Sequence, residues 1–431
     1  MKEYPYWRDG AVAGSPQSTV HSRQIVERSR RRDVVIVGAG YTGLSAARTL
    51  ARAGGDVLVV EREDVGGGAS SRNAGQVLTG LRVDPATLVA RYGPLRARNL
   101  FETATAAIAR LEALIADERI ECQYARVGHI QAASAAGHFD DLKTQQTLLA
   151  RVFGHRVELV SRSEQRTEVG SDAYHGLLVD ERSGALQPAR YVGGLAAAAA
   201  GAGAALATGV AVTAVRRESS GWAVTTSAGE VATRDVLFAT DAYTDGAAPA
   251  LQRRYIPVGS YIIVTAPLSR DAAASLLPRR RTAFDSKHFL HYFRLTADDR
   301  LLFGGRAEFA TPDESTTRRA AAILRRDLES VFPQLAEVAI EYAWGGTVGF
   351  TRDQMPRAGL LDGVYYAGGY GGHGVAMATH LGEQIARRIA GEAIESPFFD
   401  DRFPAIPLYS GNPWFLPLVG AYYRLMDALA R

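Results

Sequence analysis

The sequence predicts an α/β protein: a mostly parallel sheet layered with helices, discontinuous along the chain and interrupted by an α+β second domain. Two observations carry this. An apolar run, a glycine-rich turn, a helical pattern and a second apolar run follow one another at 33–60, and an apolar run leading into a glycine-rich helix start recurs at 364–390. Between them lie many short strand-like segments, a β-rich middle.

The first run, DVVIV at 33–37, is bounded by Gly38 and reads as a buried strand. Leu44, Ala47, Leu50 and Ala51 then recur on one helical face, and Gly54 supplies the stop. DVLVV at 56–60 is a second buried strand ending at Glu61. Parallel strands need a crossover, so the three segments form a βαβ unit. Residues 84–119 and 187–200 read as helices, with Pro188 near the start of the second. Strands are expected at 212–215, 222–226 and 236–239, and a further set at 261–265, 289–295 and 301–304. A helix at 318–331 precedes the closing strand at 364–367 and helix at 375–390.

Three glycine-bearing segments carry the chemistry. The turn Gly38-Ala39-Gly40-Tyr41-Thr42-Gly43 follows a strand and opens a helix, the setting in which G-x-G-x-x-G binds a dinucleotide in a Rossmann-type fold. The helix start offers free N–H groups and the positive end of its dipole to a pyrophosphate. Glu61 lies 18 residues beyond Gly43, where a carboxylate accepts hydrogen bonds from a ribose and repels a 2′-phosphate, which disfavours NADP. The second segment, GGGASSRNAGQ at 66–76, adds flexible backbone and the donors Ser70, Ser71, Arg72 and Asn73. FAD, longer than NAD, needs such cover towards its ring. The third, YYAGGYGGHGV at 365–375, again matches G-x-G-x-x-G, but no acid-capped strand follows its helix. It is better suited to presenting N–H groups to the N1–C2=O edge of a flavin, where charge gathers on reduction. With no second nucleotide domain, the reducing equivalents are expected from the substrate itself.

These segments divide the 431 residues into a discontinuous FAD-binding domain at 31–83, 150–247 and 341–395 and a substrate domain at 84–149 and 248–340. An N-terminal arm at 1–30 and a C-terminal tail at 396–431 complete the chain. Net charge is only +3, and the basic run Arg30 to Arg32 reads as a solvated face, so no nucleic-acid partner is expected. Only three of the 49 Lys and Arg residues are lysines, which we attribute to base composition. The single Cys122 excludes an internal disulfide, and nine scattered histidines without HExxH spacing give no metal site. No apolar run reaches the roughly 18 residues of a membrane span, and residues 1–32 lack a signal core, so a cytoplasmic protein is expected. The aromatic tail, with Trp414, Phe415, Leu416, Leu418, Tyr422 and Tyr423, has two readings, folding back on the body or touching a membrane surface; the first is expected.

With these motifs in place the chain resembles the D-amino-acid oxidase superfamily, and within it the gamma-glutamylputrescine oxidase-like branch. The resemblance runs from YWRD at 6–9 through GASSRNAGQ at 68–76, PVGSYIIVTAPL at 257–268 and YFRLTADDRLLFGGR at 292–306. It continues through WGGTVGFTRDQMPRAG at 344–359 and GGHG at 371–374 to PLYSGNPWFLPLVGAYYRL at 407–425. It implies FAD contacts from Gly38, Gly40, Tyr41, Thr42, Gly43, Glu61 and Arg62, and from Ala69, Ser70, Ser71, Arg72, Asn73, Ala74, Gly75 and Gln76. It places Val212 by the adenine, and Gly369, Gly371, Gly372, His373, Gly374 and Val375 at the ring end. The second domain is implied to be an antiparallel sheet walling a substrate cavity. Relatives that bind flavin covalently use a cysteine where Val348 stands, so FAD is expected to be non-covalent. Ala376 replaces the lysine that holds a sarcosine carboxylate in those relatives, which argues against such a substrate.

The resulting expectation is oxidation of a small amine or amino acid: hydride passes to flavin N5 and the imine hydrolyses, with O2 or another electron acceptor closing the cycle. His373, Arg294, Tyr261 and Tyr292 are the candidate catalytic and substrate-binding residues, Arg294 by its match to a carboxylate-binding arginine. A dehydrogenase feeding a quinone or carrier protein, and a flavin-binding protein without turnover, are the alternatives.

Overall fold

The computed structural model describes residues 1–9, 19–28, 31–305 and 313–429. Arg30 of the basic run, Arg306 at the end of the 292–306 segment, much of the N-terminal arm (10–18, 29–30) and residues 430–431 lie outside the described residues. In chain order the strands are β1 Arg31–Val37, β2 Val57–Val60, β3 Gln76–Val77, β4 His129–Ala132, β5 Glu158–Val160 and β6 Leu177–Asp180. Then come β7 Gly184–Ala185, β8 Ala205–Ala207, β9 Val212–Glu218, β10 Gly221–Thr226, β11 Gly229–Phe238 and β12 Ile256–Thr265. The last six are β13 Thr282–Asp285, β14 His291–Leu295, β15 Leu301–Gly305, β16 Ile340–Phe350, β17 Arg357–Leu361 and β18 Val364–Gly368. The helices are α1 Thr19–Arg28, α2 Tyr41–Arg52, α3 Pro85–Asp117, α4 Ala136–Phe153 and α5 Pro188–Gly201, followed by α6 Pro249–Gln252, α7 Arg270–Leu276, α8 Glu314–Val331, α9 Gly374–Ile389 and α10 Leu416–Leu429.

The first sheet runs β17-β18-β11-β1-β2-β8, with the antiparallel ribbon β9-β10 added on β11. Its central strands are parallel, β1 lying between β2 and β11. Val34, Val35, Ile36 and Val37 are buried on both faces, as an inner parallel strand covered by helices requires. Each such side chain contributes about 1.5–3 kcal/mol relative to exposure. Helices α2, α5 and α9 pack on one face through Leu44, Ala47, Tyr191, Leu195, Leu381 and Ile385.

The second sheet runs β16-β12-β15-β14-β13-β4-β6-β5. It is antiparallel except where β4 and β13 pair in parallel, so the expected antiparallel domain is observed with one exception. Its core gathers Phe293, Phe303, Leu324, Leu328 and Phe332 under α8. Strand pairing gives β5, β6 and β16 to this sheet, whereas the sequence boundaries group 150–180 and 341–350 with the FAD-binding segments. The reason is long-range pairing: β6 joins β4 and β16 joins β12, and neither partnership leaves a local sequence trace. The long helix expected at 84–119 is broken at Gly93, whose φ of 73° precedes Pro94. The tail folds back in part: Leu416 is buried with Val258 and Phe350 and Tyr423 stacks on His288 at 5.2 Å, whereas Trp414, Leu418 and Tyr422 stay exposed. Among the described residues no helix is long and apolar enough to cross a membrane.

Candidate active site

Two adjoining cavities lie where the sheets meet. The first, about 1330 Å³ of empty space, begins at the β1–α2 turn. Gly38, Gly40, Tyr41, Thr42, Glu61, Arg62, Ala69, Ser70, Asn73, Val212, Gly371, Gly372, Gly374 and Val375 line it. The N-terminus of α2 carries no side-chain cap. Apart from the Tyr41 N–H, which Ser70 Oγ accepts, the N–H groups of its first turn face the cleft as an anion site. Gly43 lines neither cavity and acts by packing: a Cβ there would stand 1.9 Å from the Gly38 carbonyl oxygen. The Glu61 carboxylate accepts from the N–H of Ala39 at 2.8 Å and of Glu63 at 2.9 Å, which fixes it at the end of β2. Arg62 pairs with Asp245 at 3.3 Å.

The loop after Glu61 is internally tied. Asn73 Nδ2 donates to the carbonyls of Ala69 and Ser70, while its Oδ1 accepts from Gly75 N–H at 2.8 Å. Ser70 Oγ accepts from Tyr41 N–H at 3.0 Å, joining the loop to α2. Ser71 is turned inward and donates to the Gly66 carbonyl at 2.7 Å. Gly75 also lies outside both cavity walls, against the Leu186 carbonyl. Gly369 donates its N–H to Asp241 Oδ1 at 2.6 Å, and Gly371 to the Gly349 carbonyl at 2.9 Å. These two donors are thus engaged within the protein. Asp241, absent from the sequence reading, is half-buried; desolvation of its carboxyl raises its pKa, and it sets this glycine loop. The trace that could have revealed it is an acid three residues after the apolar strand β11.

The second cavity spans about 1070 Å³ of empty space, the solvent at its mouth included, and shares Ala69, Asn73, Thr347, Val348, Gly371, Gly372 and Val375 with the first. Arg72, Ala74, Gln76, Arg82, Ser260, Phe284, Leu290, Tyr292, Phe350 and His373 complete much of its wall. His373 is half-buried, and its Nδ1 is buried with no hydrogen-bond partner. Burial, reinforced by the charge of Arg82, lowers its pKa to about 3, so the ring is neutral. Tyr292 Oη and Ser260 Oγ lie 3.0 Å apart.

Two expected substrate residues are placed elsewhere. Tyr261 is 1% exposed, in the core of the second sheet, because alternation along β12 turns Ser260 and Val258 to the cavity and Tyr261 away. Arg294 shares a face with Tyr292 but lies two residues further along β14. Its Nη1 donates to the carbonyls of Leu186, Gly75 and Ala74 at 2.9, 3.1 and 3.3 Å. Its Nε donates to the Leu295 carbonyl, and the guanidinium sits 5.4 Å from the Trp7 ring. Burial brings its pKa down to about 10. Arg294 supports the loop below the cavity and does not reach into it. Arg82, Ser260, Phe284 and Leu290 went unread, since their approach to the cavity depends on the pairing of distant strands.

A helix start behind a glycine turn, a ribose-type carboxylate and a second cavity opening from the inner end of the cleft define a dinucleotide-dependent oxidoreductase. The profile of the family described as FAD dependent oxidoreductase matches residues 33–388, and the chain belongs to that family. It is 36% identical over 402 residues to gamma-glutamylputrescine oxidoreductase of Escherichia coli K12, covering 92% of this chain and 93% of that one. It is 34% identical over 405 residues to the probable oxidoreductase OrdL of Haemophilus influenzae, covering 92% of each. Glycine oxidase from Geobacillus kaustophilus superposes with a TM-score of 0.76 at 23% identity, over 88% of this chain and 99% of that one. The cofactor is FAD, and the cleft fits it. The sole cysteine, Cys122, is buried in the first core and lines neither cavity, so no cysteine tethers the flavin.

Replacing Glu61 by alanine is expected to weaken FAD binding about ten- to hundredfold, the worth of a charge-assisted hydrogen bond of roughly 1.5–3 kcal/mol. Titration of apoprotein with FAD measures it, and an unchanged dissociation constant would remove the ribose assignment.

Proposed function

We propose that this protein oxidises a small amine or amino acid at its C–N bond, in the cytoplasm, with O2 or another carrier as electron acceptor. The observation that carries the reading is the second cavity, which joins the cofactor cleft along seven shared residues. The flavin ring belongs at that junction, and the substrate beyond it. Bound FAD supplies hydride acceptance at N5.

The chain supplies the rest. Leu78, Val258, Phe284, Leu290 and Phe350 give the cavity an apolar lining that excludes water and favours a neutral, reactive amine. Neutral His373 and the Tyr292–Ser260 pair provide the polar groups that orient the substrate's C–H bond. Because the Escherichia coli relative is named for gamma-glutamylputrescine, a gamma-glutamylated amine heads the candidate substrates.

The test is anaerobic mixing of the holoenzyme with gamma-glutamylputrescine, putrescine, and D- and N-methyl amino acids. Loss of the yellow flavin absorbance with at least one of them is expected. No bleaching by any amine would leave a flavoprotein without this activity. Oxygen uptake against dye-only turnover then identifies the acceptor.

A further inference from the structure

Arg82 lies between β3 and Asp84, the residue that caps α3, in the segment QVLTGLRVD at 76–84. Its stem packs on the glycine loop: a Cβ on Gly371 would lie 3.3 Å from the Cβ and Cγ of Arg82. The side chain lines the second cavity but not the FAD cleft. Its Nε is buried without a hydrogen-bond partner, and none of the ion pairs among the described residues includes it. Asp84 and Tyr423 act on it only through space, and Asp84 is committed to the Thr87 N–H at 2.9 Å.

Arg8 and Arg357 also bury a nitrogen without a partner, but Arg8 bonds Ser71 and Arg357 pairs with Asp353 and Asp400; three further buried arginines are satisfied. Arg48 pairs with Glu118, Arg281 with Glu168 and Glu181, and Arg294 with backbone carbonyls. A guanidinium stays charged at neutral pH, and holding it half-buried at the cavity wall with Nε unpartnered is costly, so this position favours an anion. The cofactor's phosphates belong at the start of α2, in the other cavity, and do not answer that need.

We propose that Arg82 is a specificity-determining residue that binds a carboxylate carried by the amine substrate. This rests on reading the second cavity as the substrate site. It selects amines of the gamma-glutamyl type over plain diamines: with the gamma-carboxyl tied up in an amide, the alpha-carboxylate is free to meet the planar donor fork.

Two arms test it on the holoenzyme. In anaerobic flavin reduction, the preference for gamma-glutamylputrescine over N-acetylputrescine, which has the same reacting amine but no carboxylate, taken as the ratio of apparent affinities, is expected to fall about 10–100-fold in Arg82→Met. Arg82→Gln serves as a second variant, and Arg82→Lys is expected to restore only part of the ratio. In the second arm, glutarate and its uncharged diamide, glutaramide, are titrated while the flavin absorbance is followed. Neither can reduce the flavin. Wild type is expected to bind glutarate at least about tenfold more tightly, and the variants to lose that preference. A ratio unchanged in the variants, or equal binding of the two ligands by wild type, would overturn the role of Arg82. If no amine bleaches the flavin but glutarate binding depends on Arg82, the anion site stands and the oxidation reading falls.

Discussion

Gly43→Ala is expected to give protein largely without FAD, the affinity falling by about ten- to hundredfold. The added methyl would lie 1.9 Å from the Gly38 oxygen and 3.2 Å from Ile36 Cγ2, so α2 would have to move away from β1. It has nowhere to go. On its other side α9 approaches so closely that a Cβ on Gly382 would sit 2.3 Å from the Thr42 carbonyl oxygen. Overpacking of this kind costs about 1–3 kcal/mol, and here the strain falls on the turn that faces the pyrophosphate. The flavin-to-protein ratio after purification and an FAD titration measure the loss. A wild-type ratio would mean that the turn relaxes without losing its geometry.

Arg294→Ala is the second large effect, and it is expected on the fold. The change removes donors from the carbonyls of Ala74, Leu186 and Leu295 and takes a cation from above Trp7. The Gly75 oxygen keeps its bond from Leu186 N–H. With unsatisfied buried acceptors at about 1–3 kcal/mol each, a destabilisation of roughly 3–5 kcal/mol is expected. It would appear as a lower denaturant midpoint and as weaker FAD binding through the 69–76 loop. Arg294→Lys should recover part of it, since one ammonium cannot serve carbonyls spread around a planar fork. Substrates with and without a carboxylate should suffer alike. Unchanged stability together with a loss confined to carboxylate substrates would return Arg294 to the substrate site.

What the sequence discloses is what it encodes locally. The β1–α2 turn and Glu61 could be read because strand, glycine spacing, helix start and acid all fall within about 30 residues. The strands β9 to β12 were visible as apolar or alternating runs. The opposite case is Arg82: a basic residue in a short apolar stretch looks like any surface arginine until Gly371, almost 300 residues on, closes over it. Tyr261 and Arg294 were misplaced for a related reason. Period-two alternation separates the faces of a strand, but which face meets the cavity, and how far along it, is decided by strands paired from elsewhere. Helix α4 went unread because its buried residues are few, Leu142, Leu149 and Phe153, on an otherwise polar segment.

The order of strands in the first sheet bears on how the protein is made. The cleft draws on Gly38 near one end of the chain and on Ala378 near the other, about 340 residues apart. At roughly 5–20 residues per second, a ribosome needs on the order of 20–70 s to pass from one to the other. During that interval β1 lacks its neighbour β11, which spans Gly229–Phe238, and α2 lacks the cover of α9. A nascent chain therefore has no place for the flavin until nearly all of the family-matched region has emerged. Once it has, FAD stabilises the closed fold by mass action, so cells short of riboflavin should accumulate less of this protein even when its message is abundant.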